Sequence, residues 1–399
     1  MRRICVFTGS RADYGPLLAV ISALDHDPDV DLCLLVSGGH LVREQGMTIE
    51  QIEADSFPVS ERVEMVLAGD SATAVAKSFG LGVIGYVDAL ERLRPEILVV
   101  LGDRYEALAV TIAAALRLLP VAHIGGGELS YGSTDDSVRH AITKLAHLHF
   151  TSNEEFRRRV IQLGEHPDRV HAFGAPGLDT IRTTRLLDRE TLASKLGIDP
   201  LRDLFVVTYH PATADPRGSA DGVHGLLKAL DTFPEASLIF TGTNVDQGGG
   251  GVFAPIREYV EAHDSRAMMM ASLGQTAYLS LLDHAVVVVG NSSSGLVEAP
   301  ALRTPTVNIG TRQDGRPRAD SVIDCGETEA EIGNAIRVAL SAAHRSRTAH
   351  AESPFGDGRS ADRIVARLKR FELTAGGDKT FWDPPPGLMG ANSTIGTII

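Results

Sequence analysis

The sequence predicts an α/β protein built from two doubly wound, Rossmann-like domains facing across a cleft. Three observations predict it. Short apolar, β-branched runs without polar alternation recur along the chain, as strands covered on both faces require. Residues 97–101 (Ile-Leu-Val-Val-Leu) and 285–289 (Ala-Val-Val-Val-Val) are examples. Such runs end in glycine-containing turns and lead into helical stretches, the pattern of a parallel sheet with helical crossovers. The alternation closes near residue 175 and restarts at residue 204, which divides the chain into domains over 1–175 and 176–353.

The bounds agree with this. A chain of 399 residues holds two domains of ordinary size. At 43% hydrophobic and 22% charged residues it is globular rather than disordered. The net charge is -13 and no long basic block occurs, which argues against nucleic acid and anionic membrane surfaces as partners. A nucleotide would have to be held by a local site instead. No apolar run reaches membrane length, and the first residues enter a strand without the apolar core of a signal peptide. Cys5, Cys33 and Cys325 have neither metal nor disulfide spacing, which fits a reducing cytoplasm.

Taken in order, residues 4–8 form the first strand, and the turn Gly9-Ser-Arg-Ala-Asp-Tyr-Gly15 follows. The spacing predicts a helix over 16–25, with Pro16 in its first turn, where a fixed φ is tolerated. Arg11 lies in this turn at the carboxyl end of a strand, where open α/β sheets place ligands. Residues 30–37 are a second strand, 71–93 a long helix and 97–101 a buried strand. Gly102-Asp103-Arg104 then leads into a helix to about residue 118. The strand 121–124 ends in Gly125-Gly-Gly-Glu128, and Asp135 and Asp136 open the helix that carries Arg139. Asp103, Glu128 and Asp135 therefore fall on successive loops of one sheet edge. Singly, each is a helix cap or a solvated charge. Together, three carboxylates on one rim suit proton transfer. His147 and His149 alternate on a strand without a third ligand, so they read as structural, and no metal site is expected.

In the second half, the strand 204–208 runs into Tyr209-His210, which places His210 at a strand end facing the cleft. The strand 238–241 leads to Gly242-Thr-Asn244. The strand 285–289 is followed by Gly290-Asn-Ser-Ser-Ser-Gly295 and a short helix. Such a turn offers unpaired backbone N–H groups and the hydroxyls of Ser292, Ser293 and Ser294 at a helix N-terminus, which suits a phosphate. Glu298, one helical turn on, suits a ribose diol. The bland alternative is a serine-capped helix. Arg312 follows the next strand, 306–309, and can reach a diphosphate at the serine turn. A helix over 329–343 follows. The segment 354–372 contains a last helix that packs back on the first domain, and 373–399 reads as a loose tail.

Thr8-Gly-Ser-Arg-Ala-Asp-Tyr-Gly15, Gly102-Asp-Arg-Tyr-Glu106, His123-Ile-Gly-Gly-Gly-Glu128, Asp135-Asp-Ser-Val-Arg-His-Ala-Ile-Thr-Lys144, Gly290-Asn-Ser-Ser-Ser-Gly295 and Gly310-Thr-Arg-Gln313 occur in this order. This set resembles the hydrolysing UDP-N-acetylglucosamine 2-epimerases of the NeuC type, over roughly residues 1–372. The resemblance implies a glycosyltransferase-B-like fold, a role in sialic or legionaminic acid synthesis, and release of an N-acetylmannosamine-type sugar plus nucleoside diphosphate. It places Arg11, His210, Asn244, Ser292, Ser293, Glu298 and Arg312 on the nucleotide, with Ser294 beside them. It places Asp103 and Asp135 at catalytic carboxylates, with Glu128 and His210 as further candidates. No cofactor is implied, and a homo-oligomer (dimer or tetramer) is. Some members carry glutamate where this chain has Gly125. Elimination of the nucleotide and readdition of water need acid–base groups on two faces of the sugar, and leaving-group stabilisation from the serine turn and Arg312. A non-hydrolysing epimerase and a glycosyltransferase of the same fold are the alternatives.

Overall fold

The computed structural model describes residues 1–69, 71–129, 134–210, 220–241, 250–270, 273–372 and 379–383. Asn244 lies outside the described residues.

The apolar runs form two parallel sheets. The first contains β1 (Arg2–Thr8), β2 (Val30–Ser37), β3 (Val59–Val63), β4 (Ile97–Leu101), β5 (Val121–Ile124), β6 (Leu148–Thr151) and β7 (Val170–Ala172), in the order β3-β2-β1-β4-β5-β6-β7. The second contains β8 (Leu204–Thr208), β9 (Ser237–Thr241), β10 (Ala267–Met270), β11 (Val287–Gly290), β12 (Thr306–Ile309) and β13 (Val322–Cys325), in the order β10-β9-β8-β11-β12-β13. Both sheets are doubly wound. The strand order reverses between β1 and β4 in one and between β8 and β11 in the other. At such a reversal the flanking helices run to opposite faces, and a crevice opens at the carboxyl ends of the strands.

Apolar side chains cover both faces of each sheet. In the first, Ile4, Val6 and Val99 face Leu17, Ile21 and Leu24 of the helix Arg11–Asp25, while Cys5, Leu98 and Val100 face Tyr86, Leu90 and Val110. In the second, Phe205, Val207 and Val289 face Leu226, Leu230 and Ile336, and Val206, Ile239 and Val288 face Leu281 and Leu282. The helix Ser360–Arg370 returns to the first sheet, where Ile364 and Leu368 are fully buried. Each such side chain contributes about 1.5–3 kcal/mol over leaving it in water. Asp179 fixes this helix by accepting the backbone N–H groups of Ser360 (3.0 Å) and Ala361 (2.8 Å). Between the halves, Phe156, Leu178, Leu296 and Phe355 form one apolar cluster, so the joint is packed rather than a bare linker.

Three local differences from the sequence reading have physical causes. The first helix begins at Arg11, because the Ser10 carbonyl accepts from the N–H groups of Asp13 (3.1 Å) and Tyr14 (3.0 Å), and Pro16 falls inside it. The strands β3, β10 and β13 were not anticipated. All three are sheet edges with partly exposed residues, so they lack the continuous apolar run of a central strand. Within the stretch expected to be a loose tail, residues 379–383 lie against the first domain. The Lys379 ammonium donates to the carbonyls of Thr143 (3.3 Å), Lys144 (2.5 Å) and Ala146 (2.5 Å), and the Trp382 N–H donates to Gly164 (3.0 Å). Among the described residues, no helix is long and apolar enough to cross a membrane.

Candidate active site

The site residues anticipated from the first half stand at the β1/β4 reversal and on the strands beside it. Gly102 ends β4 with φ +80, a conformation that favours glycine, and its N–H donates to Ile124 (2.9 Å). The turn then presents Asp103. Gly125 ends β5 with φ +85, so the chain turns through glycine there too and reaches Glu128. A glutamate at 125 would be strained by this backbone.

Arg139 joins these two turns. It is a large side chain on the helix Thr134–Leu145 and is almost fully buried. Its guanidinium donates to the Asp103 carboxylate, to the Glu128 carbonyl oxygen (2.9 Å) and to Asp136 (3.4 Å). Arg159 holds the preceding carbonyl, that of Gly127 (2.5 Å). The Glu128 carboxylate is left for other partners. Ser152 donates to its Oε1 (3.3 Å), and Arg316 Nη2 stands 4.0 Å from its Oε2. Asp103 and Glu128 are thus brought together through one arginine. Asp135 is exposed in the first turn of its helix, and it is Asp136 that faces Arg139 and His140.

Behind this rim lies a group of buried polar residues that the sequence did not single out. Asp13 accepts from the Gly9 N–H (3.1 Å) and Ser10 Oγ (3.2 Å). Burial pushes its carboxyl up to about 7, opposed by the Arg104 charge and reinforced by Glu106. Arg104 in turn donates to both oxygens of the buried Glu106 (3.1 and 3.3 Å). His40 is buried between Thr8 Oγ1 (2.9 Å) and Thr48 Oγ1 (2.7 Å), and burial holds its imidazole down at about 4, with Arg104 and Arg11 adding to the effect. Arg11 itself is exposed at the start of its helix.

The second rim stands at the β8/β11 reversal and is organised by Asn291. This residue is buried and bonds both sides of one backbone unit, accepting from the His210 N–H (2.7 Å) and donating to the His210 carbonyl (2.9 Å). Its own carbonyl accepts from Arg312 Nη1 (3.0 Å) and Gln313 Nε2 (2.8 Å). His210, the serine turn and Arg312 are therefore one unit. Burial lowers the His210 imidazole to about 4, and the Arg312 charge acts in the same direction. At neutral pH His210 is an uncharged hydrogen-bonding group rather than a cation.

Ser293 caps the helix Ser294–Ala301 by position, with no bond from its side chain, and is exposed. Ser292 Oγ accepts from the Ser294 N–H (3.3 Å), and Tyr278 donates to Ser294 Oγ (2.7 Å). Burial raises the Glu298 carboxyl, while Ser294 and Arg316 counteract it. Arg316 thus acts on the charge of Glu298 and stands 4.0 Å from the Glu128 carboxylate of the first rim. Arg318 sets its loop by donating to the carbonyls of Gln313 (2.9 Å) and Arg316 (2.5 Å).

The arrangement is chemically specific. One rim carries carboxylates held by a buried arginine. The other carries an N-terminal helix turn with hydroxyls, an arginine and a neutral imidazole, groups whose chemistry suits an anion. The sequence did not assign roles to Arg316 and Asn291. Their signal was present only as polar residues inside the motifs that carry the neighbouring groups.

Comparison with known proteins adds four findings. The UDP-N-acetylglucosamine 2-epimerase family profile matches residues 22–369. The chain is 38% identical over 323 residues to a GDP/UDP-N,N'-diacetylbacillosamine 2-epimerase (hydrolyzing) of Campylobacter jejuni, covering 81% of this chain and 84% of that protein. It is 34% identical over 373 residues to a UDP-N,N'-diacetylbacillosamine 2-epimerase (hydrolyzing) of Legionella pneumophila, covering 94% and 97%. Among solved structures, the UDP-GlcNAc 2-epimerase of Neisseria meningitidis bound to UDP-GlcNAc superposes with a TM-score of 0.73 at 17% identity, covering 93% of this chain and 100% of that one. That likeness concerns the fold.

Proposed function

The chain belongs to the UDP-N-acetylglucosamine 2-epimerase family, and from that premise we propose that it is a hydrolysing nucleotide-sugar 2-epimerase acting on a UDP- or GDP-linked 2-acetamido sugar. The observation that carries the reading is the cross-cleft arrangement, in which the loop whose Arg312 bonds Asn291 of the serine turn also brings Arg316 to 4.0 Å from Glu128, beside Asp103 and Arg139. Two relatives act on N,N'-diacetylbacillosamine derivatives, which supports a sugar with acetamido groups at C2 and C4. The activity belongs to the synthesis of sialic- or legionaminic-type sugars.

In the first step a carboxylate of the first rim takes the C2 proton. The C2–H electron pair becomes the C1=C2 bond, and the C1–O pair leaves with the diphosphate. The C2 proton is weakly acidic, so stabilising the leaving group matters most. The N–H groups of the Ser294–Ala301 helix, the serine hydroxyls and Arg312 would lie where that charge develops. Glu298 would take the ribose diol, Arg11 and the neutral His210 would donate to the nucleotide, and Asn244 completes this set by resemblance. In the second step a proton is delivered to C2 from the opposite face, and water adds to C1 while giving its proton to a carboxylate. The sugar leaves with inverted configuration at C2. Asp103 and Glu128 are the proposed acid–base groups, with Asp135 as a third that would have to turn inward on ligand binding.

The proposal includes a homo-oligomer. Leu81 and Ile84 of the helix Ala72–Leu93, and Leu116 and Leu118 at the end of the adjoining helix Tyr105–Leu116, are exposed large apolar side chains. Light scattering after gel filtration tests this. A cytoplasmic setting is also proposed, in keeping with the free cysteines Cys5, Cys33 and Cys325.

The deciding experiment incubates the protein in D2O with UDP-N-acetylglucosamine and with UDP- and GDP-N,N'-diacetylbacillosamine, read by NMR. A free manno-configured sugar with deuterium at C2, plus free nucleoside diphosphate, is expected. A manno sugar still linked to its nucleotide would identify a non-hydrolysing epimerase. Transfer to an acceptor without C2 exchange would identify a glycosyltransferase.

A further inference from the structure

His123 is the next-to-last residue of β5, is fully buried and has no part in the chemistry described above. Its Nε2 lies 2.8 Å from the Gly102 carbonyl oxygen and its Nδ1 lies 3.0 Å from Thr143 Oγ1. A carbonyl oxygen only accepts, so Nε2 carries a proton. Burial pushes the imidazole down to about 3, and the facing His149, Arg139 and His140 disfavour a second proton. The ring is therefore neutral, Nδ1 is bare, and the Thr143 hydroxyl donates to it.

Two turns rest on this pair. One is the peptide unit of Gly102, which has φ +80 and directly precedes Asp103. The other is the glycine turn that leads to Glu128. A Cβ added at Gly126 would stand 3.0 Å from Thr143 Oγ1 and 3.3 Å from His123 Nδ1, so the backbone there lies directly on the hydrogen bond. Thr143 is also one helical turn from Arg139, which holds the Asp103 carboxylate and the Glu128 carbonyl. One helix face thus fixes both turns, through Arg139 from the side chain and carbonyl, and through Thr143 and His123 from beneath.

We infer that His123, as the Nε2-protonated tautomer braced by Thr143, is a positioning residue that aims Asp103 and seats the turn carrying Glu128. The inference deepens the proposed function, because it rests on Asp103 and Glu128 as the proton-transfer groups. It assigns to His123 no contact with substrate.

The test compares His123→Phe, His123→Gln and Thr143→Val with the wild type, using whichever substrate the wild type turns over. His123→Phe keeps the volume and removes the donor. It should lower kcat by about 10–100-fold, the scale of a misplaced reacting group, with KM and nucleoside diphosphate affinity within about twofold. His123→Gln, whose amide nitrogen reaches the place of Nε2, should recover most of that loss. Thr143→Val should lower kcat by a smaller factor, again without weakening nucleotide binding, and it carries the test if His123→Phe does not fold. In the wild type, the 15N spectrum should show an Nε2-protonated imidazole that does not titrate near neutral pH. Near-normal kcat in both His123→Phe and Thr143→Val would overturn the inference. So would His123→Gln as inactive as His123→Phe, or a loss of kcat matched by loss of nucleotide affinity. A wild type without any turnover would refute the functional reading instead, and the imidazole spectrum would still judge the positioning claim: an Nδ1-protonated or titrating ring ends it.

Discussion

Arg316 Nη2 stands 4.0 Å from Glu128 Oε2, and the two residues belong to loops on different sheets. Arg316 also lies near enough to Glu298 to oppose the rise of its carboxyl. On the proposed function, Arg316 would link the nucleotide side to the carboxylate side. Arg316→Ala should lower kcat/KM by about 10-fold, equivalent to ~1.4 kcal/mol of transition-state stabilisation. Nucleotide should compact the wild-type protein in solution scattering, and the variant should compact less. An equal change in radius of gyration for both proteins would show that Arg316 does not couple the halves.

Glu128→Gln separates catalysis from scaffolding. Arg139 holds the backbone carbonyl of Glu128, not its carboxylate, so the amide variant keeps that bond. Thermal stability and nucleotide affinity should stay near wild type, while kcat falls by about 10²–10⁴-fold, the usual share of a general acid–base group. Near-normal turnover in a stable variant would leave the proton transfers to Asp103 and Asp135.

Asp13 makes a pH prediction. Its carboxyl is pushed up to about 7 in the folded protein, mainly by burial, against about 3.9 in an unfolded chain. The folded state therefore binds the proton more tightly. The stability this contributes is fully present below about pH 4 and is lost as pH rises through about 7. Asp13→Asn keeps an acceptor for the Gly9 and Ser10 donors but cannot ionise. The variant should gain melting temperature relative to wild type at pH 8 and show little gain at pH 4. A constant difference across that range would place the proton elsewhere.

Residues 379–383 give a stability prediction. Lys379 caps the carboxyl end of the helix that bears Arg139 and pairs with the buried Glu165 (2.8 Å), which also bonds His149 (3.0 Å) and Lys144 (2.7 Å). Lys379→Met removes a buried charge partner and should cost about 1–3 kcal/mol, seen as a lower urea midpoint with an unchanged slope. Unaltered unfolding would mean that the segment does not hold the helix.

The sequence by itself determined the sheet strands that are apolar on both faces, and with them the glycine turns that end them. Buried β-branched runs and glycines at positive φ are local requirements, so Gly102, Gly125 and Gly290 could be recognised without a partner. The serine turn and Arg312 were legible for the same reason, since a strand followed by a polar glycine turn and a helix defines its own N–H groups. What only the tertiary structure decided is which side chains meet. Asp135 and Asp136 are neighbours in sequence, yet successive residues of a helix point about 100° apart, and it is Asp136 whose carboxylate stands 3.4 Å from Arg139. The pairing of Arg139 with Asp103, 36 residues away, depends on β4 and β5 lying side by side, which no local pattern states. The edge strands β3, β10 and β13 and the docking of 379–383 were hidden likewise, because each is stabilised by a neighbour distant in the chain rather than by its own composition.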